Sequence, residues 1–146
     1  MTAKRNKKTS LSDVLETILD DHELFEEFVL DFNRMFVHGR TTVPKKAADA
    51  TRQFCEKLIG HFAYEEKHIF SELLVNMPRK DVAQRIALLQ KEHTALEKQA
   101  KQLDRMLSPA NLTYLDINSL HEEMWDLIVG MQSHADKEND LFPSLL

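Results

Sequence analysis

Three of the four prolines in this 146-residue chain, Pro44, Pro78 and Pro109, divide it into four stretches in which apolar residues recur at helical spacing. A helix ends at or before the residue preceding a proline, so each stretch is predicted as its own helix. The first is capped by Ser10 or Ser12, carries Leu15, Ile18, Leu19, Phe25, Val29, Phe32 and Phe36 on one face, and ends near Gly39. The second runs from about Lys45 to Asn76, with Phe54, Leu58, Phe62, Ile69 and Leu73 inward. The third spans roughly Arg79 to Leu107 around Val82, Ile86, Leu89, Leu96 and Leu103. The fourth, roughly Ile117 to Leu141, buries Leu120, Met124, Leu127 and Met131. Short connections make consecutive helices antiparallel, so the expected fold is all-α, an up-down-up-down antiparallel four-helix bundle.

Each helix also carries a histidine on its apolar side, and two of these belong to a repeated motif. His61-Phe-Ala-Tyr-Glu65 is followed by Ile69-Phe70, and His134-Ala-Asp-Lys-Glu138 by Leu141-Phe142-Pro143. A spacing of four stacks imidazole and carboxylate one turn apart on the same helical face. A lone histidine precedes each copy, His22 before the first and His93 before the second, so the whole pattern repeats after about 72 residues. In antiparallel neighbours, two residues share a level when their sequence midpoint falls in the connecting turn. The midpoints of His22/His61, His61/His93 and His93/His134 are about residues 41, 77 and 113, all in predicted connections. All four imidazoles are therefore expected at one level of the interior. Glu65 and Glu138 lie about 6 Å to the same side of it, because their helices run in the same direction. So many buried polar groups are costly unless cations lie between them. Mixed imidazole and carboxylate donors without thiolate suit iron, manganese or zinc in an open site, and six ligands are too many for one ion.

The chain resembles the hemerythrin-like, or HHE cation-binding, proteins through His22 in Leu-Asp-Asp-His, His61xxxGlu65 with Ile-Phe, Glu92-His93, and His134xxxGlu138 with Leu-Phe-Pro. The resemblance implies two iron ions, with manganese or zinc as substitutes, bridged by Glu65 and Glu138. His22 and His61 would be terminal on one side, His93 and His134 on the other. Oxygen-carrying members have a histidine where this chain has Glu97. Glu97 is accordingly counted as a seventh ligand, and the pattern looks closer to the stress-response, iron-centre-repair and iron-sensing branches. The expected function is to bind or react with a diatomic gas, oxygen or nitric oxide, or to handle or sense iron. The alternatives are an oxidoreductase turning over peroxide or nitric oxide, and an interaction module with a structural metal. His68, Tyr64 and Glu66 read as neighbours of the site rather than ligands. Leu141-Phe142 stands one residue nearer its glutamate than Ile69-Phe70 does, which suggests unusual winding at the end of the fourth helix.

Charge and cysteine usage narrow the remaining classes. Lys4, Arg5, Lys7 and Lys8 account for 4 of the 19 basic residues, so the rest of the chain carries 15 against 24 acidic ones, a net charge of −9. An acidic body is not a nucleic-acid-binding surface. Residues 1–9 are expected to be a disordered basic tail and residues 10–146 the domain. No apolar run is long enough to cross a bilayer, and the single cysteine, Cys55, has no disulfide partner in the chain. A cytoplasmic location is expected, with the protein partner unassigned.

Overall fold

A computed structural model describes residues 10–35 and 43–145. The helices are α1 (Leu11–Met35), α2 (Lys45–Glu65), α3 (Ser71–Asn76), α4 (Lys80–Met106), α5 (Pro109–Leu112) and α6 (Ile117–Leu145), and no strand occurs among the described residues. The expected basic tail and the end of the first helix near Gly39 lie outside them. Ser10 caps α1 by accepting the amide of Asp13 at 3.1 Å. Pro44 and Arg79, both extended, set the starts of α2 and α4. Ser108 is extended before Pro109, which begins the short α5 inside the connection read from sequence as a loop.

α2 and α3 form one rod joined by a single π turn, Glu66–Phe70, with helical backbone on either side. A π turn inserts one residue into the helical register. That accounts for the offset between the two motif copies. Ile69 and Phe70 follow Glu65 by four and five residues, Leu141 and Phe142 follow Glu138 by three and four, and all are buried. The unusual winding therefore lies in the first copy, not at the end of the fourth helix. Pro143 sits in the last turn of α6, where it lacks the N–H that would donate to the carbonyl of Asn139, and the helix ends two residues later.

Side-chain pairs fix the direction of every neighbouring helix. Arg52 meets Asp104 while Gln90 meets Glu66, so α2 and α4 are antiparallel. Arg85 meets Asp140 and Glu92 meets His134 between α4 and α6. Asp21 meets His61, and Phe28 stacks on Phe54 at 4.0 Å, between α1 and α2. His22 meets Glu138 and Phe32 meets His121, so α1 and α6 close the bundle, again antiparallel. Packing is uneven. α2–α4 and α4–α6 touch along their lengths, whereas α1 and α6 touch sparsely.

The apolar interior is split into two clusters. One, toward the α4–α6 connection, includes Phe32, Phe54, Leu58, Leu103, Leu120 and Leu127. The other includes Ile18, Ile69, Phe70, Leu73, Ile86 and Phe142. Between them lies a layer of buried polar side chains: His61, Glu65, His93, His134 and Glu138.

Candidate metal centre

The four histidines converge at one level, as the sequence midpoints require. The rings of His22 and His61 are 5.2 Å apart, and those of His93 and His134 are 4.6 Å apart. The glutamates lie between the pairs and divide their oxygens. Glu65 turns Oε2 to His61 Nε2 at 3.3 Å and Oε1 to His93 Nε2 at 2.9 Å. Glu138 turns Oε1 to His22 Nε2 at 3.2 Å and Oε2 to His134 Nε2 at 3.0 Å. Two quartets result, His22/His61/Glu65/Glu138 and His93/His134/Glu65/Glu138, each with donor atoms within 4.8 Å of one another. Both glutamates belong to both quartets.

The donor set fits metal ions better than it fits itself. Glu65 Oε2, both oxygens of Glu138 and His134 Nε2 are buried without a hydrogen-bond partner. Such groups are expensive to leave unmet. His134 Nε2 lies 3.0 Å from Glu138 Oε2 without hydrogen-bond alignment. Atoms that converge on a shared point in place of pairing could hold a metal ion.

Three imidazoles are held from behind. His61 Nδ1 donates to Asp21 at 2.8 Å, His93 Nδ1 to Glu66 at 2.7 Å, and His134 Nδ1 to Glu92 at 2.8 Å. Lys137 in turn contacts Glu92. Carboxylates behind ligating imidazoles fix the tautomer and raise ligand basicity. Burial alone would lower the pKa of these histidines, but the carboxylates outweigh it. Asp21 and Glu65 raise His61 to about 9, Glu138 and Glu65 raise His93 to about 9, and the same two glutamates raise His134 to about 10. Burial would likewise raise Glu65, yet His134, His61 and His93 hold it well below the usual carboxylate range. The carboxylates thus favour the protonated forms of these three imidazoles, and the imidazoles favour ionised Glu65.

A cavity of about 300 Å³ borders the centre on its α1–α6 side, touching His22, His61 and His134. Phe25, Leu58, Phe62 and Met131 form its apolar wall, and Glu26, Gln132, Asp136 and Asn139 its polar part. His93 is covered by contrast, stacked between Phe62 at 4.4 Å and Phe70 at 5.1 Å.

Of the seven residues singled out by sequence, six are brought together: His22, His61, Glu65, His93, His134 and Glu138. Glu97 joins neither quartet. It is half-buried one turn beyond His93, and α4 runs against α2, so that turn leads away from the level of Glu65. His68 lies against Tyr64 at 4.5 Å, carried off the face of His61 by the π turn. Asp21 and Glu92 were missed as anchors, although each directly precedes a lone histidine. Glu26 was missed as well. It stands four residues after His22 as Glu97 does after His93, so the repeat could have found it. Cys55 is buried and held as a thiol, its pKa raised to about 12 by burial and Asp104.

A family model, the hemerythrin HHE cation binding domain, matches residues 13–145. No curated protein and no solved structure matches the chain significantly. No helix among the described residues is long and apolar enough to cross a membrane.

Proposed function

Because the chain belongs to the hemerythrin HHE cation-binding domain family, we propose that it holds two iron ions, one in each quartet, and that the centre binds or reacts with oxygen or nitric oxide. The observation that carries this reading is the sharing of Glu65 and Glu138, one oxygen to each quartet. A bound iron pair would supply redox electrons and open coordination positions for a small ligand. The protein supplies everything else. Two histidines and two carboxylate oxygens per quartet leave room for exogenous ligands. Asp21, Glu66 and Glu92 keep the imidazoles turned inward and electron-rich, and the flanking apolar clusters keep bulk water from the layer. The α1–α6 cavity gives a small molecule access to His22, His61 and His134.

Loading such a site competes with protons for His61, His93 and His134, whose pKa values the surrounding carboxylates raise to about 9, 9 and 10. Metal affinity therefore rises with pH until these groups are neutral near pH 9 to 10. The absence of a further histidine at Glu97, which joins neither quartet, favours reaction, repair or iron handling over dedicated oxygen carriage. Manganese or zinc would fit the same donors. The acidic body agrees with no nucleic-acid partner.

Anaerobic titration with ferrous iron tests the reading. Binding should saturate at two irons per chain with proton release into weak buffer; saturation at one iron, or none, rejects it. A second reading, turnover of peroxide or nitric oxide, is favoured by Glu26 and Asp136 in the cavity wall, which place carboxyl groups beside the open side of the centre. Repeated turnover with a reductant would establish it, and a single stoichiometric reaction would exclude it.

A further inference from the structure

The repeat offers a comparison in which each half serves as the other's control. His93 Nδ1 is anchored by Glu66, the residue after the shared Glu65. The residue after the shared Glu138 is Asn139. It lines the same cavity as His22, the counterpart of His93. His22 Nδ1 is buried and has no hydrogen-bond partner, alone among the four Nδ1 atoms. A neutral amide thus follows one shared glutamate where an anchoring carboxylate follows the other.

The same exchange recurs at the ring that covers the histidine. Phe62, one residue after His61, stacks on His93. Ala135, one residue after His134, stands in the equivalent place and opens onto the cavity. The side chain of His22 is 11% exposed against 3% for His93. Position, charge and cover all differ in the same direction.

We infer that the two metal positions are held unequally: the His22/His61 position exchanges its ion through the α1–α6 cavity, the His93/His134 position retains it, and Asn139 against Glu66 sets the difference. The inference rests on the two-ion reading above. Both residues are positioning residues that act through an imidazole. An anionic partner holds the ring in its ligating orientation and strengthens its basicity, and losing one typically costs about 10- to 100-fold in metal affinity. Asn139 supplies no such hold on His22, and the small side chain of Ala135 leaves a path for hydrated ions and chelators.

The test is anaerobic removal of ferrous iron from the loaded full chain by excess ferrozine, followed by absorbance. The wild type should release two irons per chain in two equal phases differing at least tenfold in rate. Glu66→Asn should speed the slow phase at least tenfold, and Glu66→Asp, which keeps the carboxylate, should restore slow release. Asn139→Glu should slow the fast phase. Asn139 is exposed and Glu66 half-buried, so melting of the metal-free variants should stay within a few degrees of wild type, separating positioning from loss of fold. Two irons leaving in one phase, or a slow phase indifferent to Glu66→Asn, overturns the inference. Fewer than two irons bound by the wild type overturns the two-ion reading beneath it.

Discussion

The α2–α4 interface and the α1–α6 interface are built from equivalent positions of one repeat, yet one is closed and the other open. Across α2–α4, His93 is anchored by Glu66, covered by Phe62 and buried. Across α1–α6, His22 faces Asn139, Ala135 and a cavity. The candidate ligands themselves are duplicated without change, each quartet taking two histidines and both glutamates. The difference shows that the donor set of a bundle and the surroundings of that set are separable. Duplicated helices keep the first while side chains one residue away alter the second.

The largest expected effect comes from the groups the two interfaces share. Glu65→Ala or Glu138→Ala should reduce bound iron from two per chain to about none, since each carboxylate serves both quartets. His22→Ala should cost one iron and leave the other. If Glu65→Ala still bound one iron tightly, the quartets would not be joined as the oxygen positions require; elemental analysis after desalting decides. A centre serving only structure would show lost melting temperature in Glu65→Ala and no spectroscopic change on oxygen exposure of the loaded wild type.

Closing and opening the interfaces by substitution comes next. Phe62→Ala removes a buried ring from the closed side and should destabilise the metal-free protein by about 3–5 kcal/mol in urea unfolding. Ala135→Phe, on the open side, should fill cavity space at a smaller cost and slow access of azide to the loaded centre. Equal destabilisation by both would mean that the α1–α6 side is already as well packed as α2–α4.

Acidity separates the metal-free from the loaded protein. His61, His93 and His134 have folded pKa values of about 9, 9 and 10 against an ordinary 6.5. Their stabilising contribution is full below pH 6.5 and disappears as pH rises through 9 to 10. Glu65, shifted downward, contributes above its ordinary 4.5 and loses that contribution on further acidification. The melting temperature of the metal-free protein should therefore fall between pH 7 and 10, whereas loading should flatten the decline. A metal-free melting curve that rises over this range would contradict the raised pKa values of these three histidines.

The smallest effect is expected at Glu97. Glu97→Gln should leave iron stoichiometry at two and change stability by less than about 0.5 kcal/mol. Loss of an iron would return Glu97 to the ligand set.

The bundle and the shared level of the histidines were legible in the sequence because both follow from spacing: prolines mark the turns, and midpoints between histidines fall in them. The division of carboxylate oxygens between quartets was not, since it depends on side-chain rotation about Glu65 and Glu138. The one-residue offset after Glu65 was visible, but spacing alone cannot say which helix takes up the extra residue; the π turn at Glu66–Phe70 does. Glu97 illustrates the limit of a helical face. It lies near His93 in angle yet one turn away along the axis, on the side opposite the glutamates. Asp21 and Glu92 were hidden for a related reason: each anchors a histidine on the next helix rather than its own.

Anomalous diffraction at the iron edge from crystals of the reconstituted protein would test the central claim most directly. Two peaks per chain, one within His22/His61/Glu65/Glu138 and one within His93/His134/Glu65/Glu138, are expected. A single peak, or peaks outside the quartets, would contradict it.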